Sequence, residues 1–199
     1  DLDRFAGAGL AAREGGLDVP ADLAGISGPR VGFIGGLDAH TFAPELFIEV
    51  ARRLTGHQFV LVGGSSLPEG WCDLPNVHML GRKHYEEVAA YQAAMDVLIM
   101  PWNDSEWIKA CNPIKLKEYL AVGRPIVTTD FAALDRWRDL VSVADGADRF
   151  AAAIEAATGK TVELDERLRR LDGESWDAKA NLLARRLAET PDIPMERAA

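Results

Sequence analysis

From Val31 onward the chain alternates short, apolar, β-branched runs with stretches of helical periodicity, and few folds accommodate that alternation. The strand-like runs fall at 31–34, 59–62, 77–80, 97–100, 125–128 and 140–143. Several are almost wholly apolar, as suits strands covered on both faces. Between the first two, Pro44 suits the first position of a helix, Glu45 its positive end, and Arg52 and Arg53 its last turn. Leu46, Phe47, Val50, Ala51 and Leu54 supply the buried face, and Gly56 is the stop. Further helices are expected at about 85–95, 114–122 and 147–157, the second of them ended by Gly123 ahead of Pro125. Order of this kind implies an α/β fold, a mostly parallel sheet with right-handed crossovers and helices on both faces. Ligands of such sheets bind beyond the carboxyl ends of the strands. The loops that matter are therefore 35–43, 63–70, 81–84, 101–113 and 129–133.

The two ends depart from this pattern. Residues 1–29, rich in Gly and Ala, read as a lead-in segment with short helical pieces. The chain opens on Asp1-Leu2-Asp3-Arg4-Phe5 without an initiator Met, which we read as a piece of a longer polypeptide. Toward the other end Ser175 is a helix cap, Asp177 lies in the first turn, and Trp176, Ala180, Leu183, Ala184 and Leu187 recur at helical spacing. That stripe needs a surface, either on its own domain or on a neighbouring one. The expected division is thus 1–29, a core at 30–160, and a helical segment at 161–199.

With 199 residues there is room for one full-sized core. A net charge of −9 argues against a general nucleic-acid surface, while leaving open a phosphate site made of backbone amides and one or two local cations. The two cysteines, Cys72 and Cys111, form no C-x-x-C pair, and the four histidines are scattered singly, so neither a disulfide framework nor a metal site is expected. No apolar run reaches the length of a membrane span, and a reducing, cytoplasmic setting is the default.

The segment richest in chemistry runs Asn112-Pro113-Ile114-Lys115-Leu116-Lys117-Glu118-Tyr119-Leu120-Ala121-Val122-Gly123-Arg124-Pro125-Ile126-Val127. Its helix start presents unpaired amides with partial positive charge to whatever lies above the sheet. Lys115 and Glu118, three apart, share a face. A carboxylate there can accept from a ribose diol, and the lysine can meet a phosphate or a sugar hydroxyl. On spacing alone, a solvated Lys–Glu pair is the better reading.

The order N-P-x-K-x-x-E-Y-L-A-x-G-x-P-I-V, however, closely resembles the donor-binding motif of retaining GT-B glycosyltransferases, the group 1 or family 4 type. Other matches follow in order. Residues 1–5 are similar to a G-V-D-x-x-x-F entry after the interdomain linker, and Val31-Gly32-Phe33-Ile34-Gly35-Gly36-Leu37 to the first strand and its glycine turn. The third strand resembles P-N-V-x-x-x-G, the fourth A-D-V-x-x-x-P, and Ser175-Trp176-Asp177 the C-terminal helix that returns to the acceptor domain. The resemblance implies a Rossmann-like domain that binds a nucleoside diphosphate sugar, of uridine or guanosine, without a cofactor or bound metal. It implies that Glu118 holds the ribose and that amides at Cys111 and Asn112 lie near diphosphate and sugar. It also places the acceptor pocket, and a histidine near the reacting sugar, in a separate N-terminal domain. This chain alone is then expected to bind donor weakly and not to turn over, and any peripheral membrane association would come through the full-length protein.

Two features of the pattern are absent. Relatives pair two glutamates eight residues apart, and the earlier position here is Ala110, with Asn112, Glu106 and Asp104 as stand-ins. The Arg and Lys that clamp the diphosphate after the first strand have no match in 36–42, which leaves Arg82, Lys83 or Lys109. Gly35 and Gly36 allow close approach to the donor or simply make a sharp turn, and Gly64 with Ser65 offers amides and a hydroxyl to phosphate oxygens. Trp102 and Trp107 flank the donor loop and either cover a ligand or lie buried. Three other readings stand beside transfer to a glycan, lipid or other acceptor. A dehydrogenase is a poor match, since Gly32-Phe33-Ile34-Gly35-Gly36 is not G-x-G-x-x-G. A nucleotide-sugar epimerase of similar shape and a non-catalytic nucleotide-binding module are the alternatives.

Overall fold

The computed structural model describes residues 2–189; Asp1 of the opening match and residues 190–199 of the C-terminal segment lie outside the described residues. Six strands form one parallel sheet: β1 (Arg30–Ile34), β2 (Gln58–Val62), β3 (Val77–Gly81), β4 (Val97–Met100), β5 (Ile126–Thr128) and β6 (Ser142–Val143). Their order, β3-β2-β1-β4-β5-β6, reverses direction between β1 and β4. The expected parallel α/β sheet is therefore present, and its switch point lies where the loops after β1 and β4 diverge.

Alternation along the strands divides the core in two. Val31, Phe33, Phe59, Leu61, Val97, Ile99 and Val127 face α3 (Pro44–Arg53) and α7 (Ala147–Ala157). Ile34, Val60, Val62, Leu98, Met100 and Ile126 face the layer of α1 (Leu2–Arg13), α4 (Tyr85–Ala93) and α6 (Ile114–Val122). Side chains of period 2 supply both faces, which is why these runs are apolar at successive positions.

The lead-in is more regular than its composition suggests. One twelve-residue helix, α1, packs on α4 and α6, followed by the short α2 (Ala21–Ala24). Gly9 permits this, because a Cβ there would stand 2.1 Å from the Val122 carbonyl oxygen. Two short helices escape the sequence pattern, α5 (Glu106–Ala110) in the loop after β4 and α8 (Leu164–Leu171) after α7. The last helix, α9 (Trp176–Glu189), buries none of its residues: Trp176, Leu183 and Leu187 are all exposed. Among the described residues no helix is long and apolar enough to cross a membrane.

Several motif residues hold this frame together. The Asn76 amide donates to the carbonyls of Ala51, Leu54 and His57 and so seals the end of α3. The Asp96 carboxylate accepts the Arg30 amide at the start of β1, 2.7 Å away. Tyr119 of α6 accepts the Ile34 amide at the end of β1, at 2.8 Å and fully buried. Burial holds the Tyr119 phenol protonated, far above its ordinary range.

Candidate functional site

Three glycine-bearing loops abut at the carboxyl edge of the sheet. The Gly35 amide donates to Val62, the Leu37 amide to Gly64, the Gly63 amide to Gly81, and the Ser66 amide back to Leu37. A Cβ on Gly63 would stand 1.9 Å from the Gly35 carbonyl oxygen, so these loops approach as closely as backbones can. Beyond the switch point, the loop after β4 leads through α5 to α6. Among the described residues no side chain caps the first turn of α6.

Lys115 links the two halves of this edge. Its ammonium reaches back from α6 over the turn after β1, where a Cβ on Gly35 would lie 2.0 Å from Nζ. It stands 3.9 Å from the centre of the Phe33 ring and 5.9 Å from that of Trp102. Among the described residues no carboxylate forms an ion pair with it. Close packing pushes its pKa down to about 8, with Glu118 and Asp38 at longer range opposing the drop. Glycine at 35 is thus required for the lysine's path as well as for the turn.

Glu118, one turn further along α6, is half-buried beside Tyr85 and Gln92 of α4. Burial pushes its carboxyl up, while the Gln92 amide and Lys115 pull it back. It also borders a cavity of about 160 Å³ with Leu2, Asn112, Ile114, Lys117 and Trp176. On the far side of Gly35, the Arg82 guanidinium lies across Gly64, where a Cβ would be 2.5 Å from Nε. Arg82 is exposed and makes no side-chain hydrogen bond or ion pair among the described residues. Ser65 is exposed and pairs with Leu37 across the loops, its hydroxyl accepting from the Leu67 amide. Glu118, Lys115, Gly35, Gly36, Gly64, Ser65 and Arg82 therefore line one edge.

The other candidates have partners of their own or stand apart, although Asn112 shares the cavity beside Glu118. Lys83 turns to the lead-in, paired with Asp22 at 2.6 Å, an acid that Tyr91 also donates to. Lys109 pairs with Glu106 on α5, and both are exposed. The Cys111 amide is already used, closing α5 on the Ile108 carbonyl. Asn112 accepts from the Lys117 ammonium on the side of α6 that faces Glu174 and α9. Trp102 is buried against Phe131 and Trp107 is exposed.

Two residues at this edge carry no obvious motif: Asp38, which accepts the His40 and Thr41 amides and shapes the loop, and Gln92. The signal for Gln92 was a polar residue within Ala89-Ala90-Tyr91-Gln92-Ala93-Ala94, on a face that has to be buried. Among the described residues no group of three or more His, Cys, Asp or Glu is placed to hold a metal ion.

Residues 28–159 match the family described as glycosyl transferases group 1. Over 119 residues the chain is 32% identical to the putative teichuronic acid biosynthesis glycosyltransferase TuaH of Bacillus subtilis (strain 168), covering 57% of this chain and 30% of that protein. Similar solved structures include Anabaena Alr3699/HepE in complex with UDP-glucose, with a TM-score of 0.67, 14% identity, and coverage of 96% of this chain and 56% of that one. A UDP-forming α,α-trehalose-phosphate synthase from Burkholderia vietnamiensis gives a TM-score of 0.68 at 17% identity, covering 94% of this chain and 49% of that one. The chain thus spans under a third of the TuaH protein and about half of each structure. At these identities the structures establish a shared fold, that of the GT-B glycosyltransferases.

Proposed function

The chain belongs to the glycosyl transferases group 1 family, and on that premise we propose that it is the donor-binding half of an enzyme that transfers a sugar from a nucleoside diphosphate. The observation that carries this reading is Lys115, an ammonium without an ion pair held against the glycine turn at the sheet's switch point. A diphosphate laid along this edge would meet Lys115 on one side and Arg82 on the other. These two cations, not a metal ion, would offset its charge, and they stand in for the Arg and Lys absent after β1. The uncapped first turn of α6 adds partial positive charge as the diphosphate leaves.

Glu118 would accept the ribose hydroxyls, one helical turn from the phosphate cation. Uridine is the favoured base, since relatives of the same fold bind UDP or UDP-glucose. The sugar would face the loop that bears Ala110, Asn112 and exposed Trp107. The acceptor and the remaining catalytic groups belong to a companion half, and the exposed Trp176, Leu183 and Leu187 of α9 offer it a packing surface.

Calorimetric titration with UDP, GDP and their sugars tests the site, with NAD as the comparison. Glu118→Ala should weaken binding by about 1.5–3 kcal/mol, the worth of hydrogen bonds to a charged group. Binding unchanged in that variant, or stronger for NAD than for any nucleoside diphosphate, would overturn the assignment. Product analysis with the companion half present separates transfer from epimerisation.

A further inference from the structure

Gln92 is fully buried in α4, and among the described residues neither its amide nitrogen nor its amide oxygen has a well-formed hydrogen bond. Leaving a buried polar group unpaired costs on the order of 1–3 kcal/mol. Packing does not call for it, because its neighbours along the buried face, Ala89 and Ala93, are small and apolar. A leucine or methionine would fill the same space without that cost. What the amide faces is the Glu118 carboxylate across the α4–α6 interface, whose charged form it favours.

Glu118 otherwise has little to hold it. Lys115 points away to Gly35, and no ion pair fixes the carboxylate among the described residues. A half-buried glutamate on a helix has several rotamers, whereas accepting from two adjacent ribose hydroxyls requires one orientation. We propose that Gln92 is a positioning residue for Glu118, its amide N–H holding the carboxylate in the orientation that receives the 2′- and 3′-hydroxyls of the donor's ribose. This rests on Glu118 being the ribose acceptor. Gln92 itself touches no ligand; it selects ribose through its neighbour. Closing the Gln92–Glu118 hydrogen bond on donor binding recovers the cost of the unpaired amide, so part of the affinity comes from a contact inside the protein.

The test compares UDP with 2′-deoxy-UDP, by calorimetry, in the wild-type chain, Gln92→Leu, Gln92→Met, Glu118→Ala and the Gln92→Leu/Glu118→Ala pair. Wild type should prefer the ribose form by about tenfold or more, as sites built to bond a hydroxyl do. In both Gln92 variants that ratio should fall toward the Glu118→Ala value, and the double variant should fall no further. Thermal unfolding supplies the control, with both apolar variants expected to be as stable as wild type or more so. Methionine keeps nearly the volume of glutamine, so one of the two will fold even if leucine does not. A ratio retained in either folded Gln92 variant, or equal loss of affinity for both nucleotides, overturns the proposal. A wild-type chain that binds UDP without preferring ribose would instead remove the ribose role of Glu118, and this inference with it.

Discussion

Replacing Lys115 by methionine should move stability and ligand binding in opposite directions. In the free protein the ammonium is closely packed and unpaired. The gap between about 8 and the ordinary 10.5 corresponds to about 3 kcal/mol against the charged form. Solvent on the open side of the crevice reduces that to about 1–3 kcal/mol. Below about pH 8 the lysine is charged in both folded and unfolded chains, and the penalty is complete. Between about 8 and 10.5 the folded chain loses the proton first, so wild-type stability gains from this group as pH rises through that window. Lys115→Met should therefore be the more stable protein at pH 7, with the advantage shrinking toward pH 10. Binding runs the other way. Losing a charged hydrogen bond to phosphate should weaken UDP-sugar binding by about 1.5–3 kcal/mol, ten- to a hundredfold. In the proposed site only the protonated lysine would serve the diphosphate, so wild-type affinity should also fall about tenfold per pH unit above about 8. The variant should lack that slope, and the base's own ionisation affects both proteins alike. Calorimetry from pH 7 to 9 and urea unfolding at the same pH values measure both quantities. A variant that is less stable at pH 7, or a wild-type affinity as flat with pH as the variant's, would refute the reasoning.

Two further outcomes concern the frame beneath the site. Tyr119→Phe strands the buried Ile34 amide and should cost about 1–3 kcal/mol in urea unfolding. Its effect on UDP affinity should exceed that of an equally destabilising change at the far end of the sheet. Gly9→Ala drives a methyl group into the Val122 backbone and should cost about 1–3 kcal/mol, because neither helix can move without breaking the α1–α4–α6 layer.

Local chemistry made much of this molecule readable. The apolar runs predicted all six strands to within a residue or two, and Gly123 ends α6 where its backbone needs positive φ. Helix α8 was also readable, with Leu164, Leu168 and Leu171 at helical spacing, but its dense charge disguised it. At the candidate site, Glu118 stands out in the sequence because its segment is contiguous. The partner of Lys115 is not, since Gly35 lies eighty positions earlier and only the switch point brings the two together. Adjacent Arg82 and Lys83 illustrate the same limit. One lies over Gly64 and the other is claimed by Asp22 of the lead-in, a division that no spacing rule foretells. The motif residues Asn76, Asp96 and Tyr119 serve the backbone, so part of what marks the family is scaffolding, not ligand contact.

Helix α6 carries Lys115, Glu118 and the Tyr119 strap within five consecutive residues, and the strap fastens it to the end of β1 beside Gly35. In the proposed site one phosphate cation and the ribose acceptor would thus ride on a single lever with its pivot already bolted to the sheet. A companion half closing over the donor would press on that lever and would move both groups together. Such a site would release nucleotide in one step, base, ribose and diphosphate together.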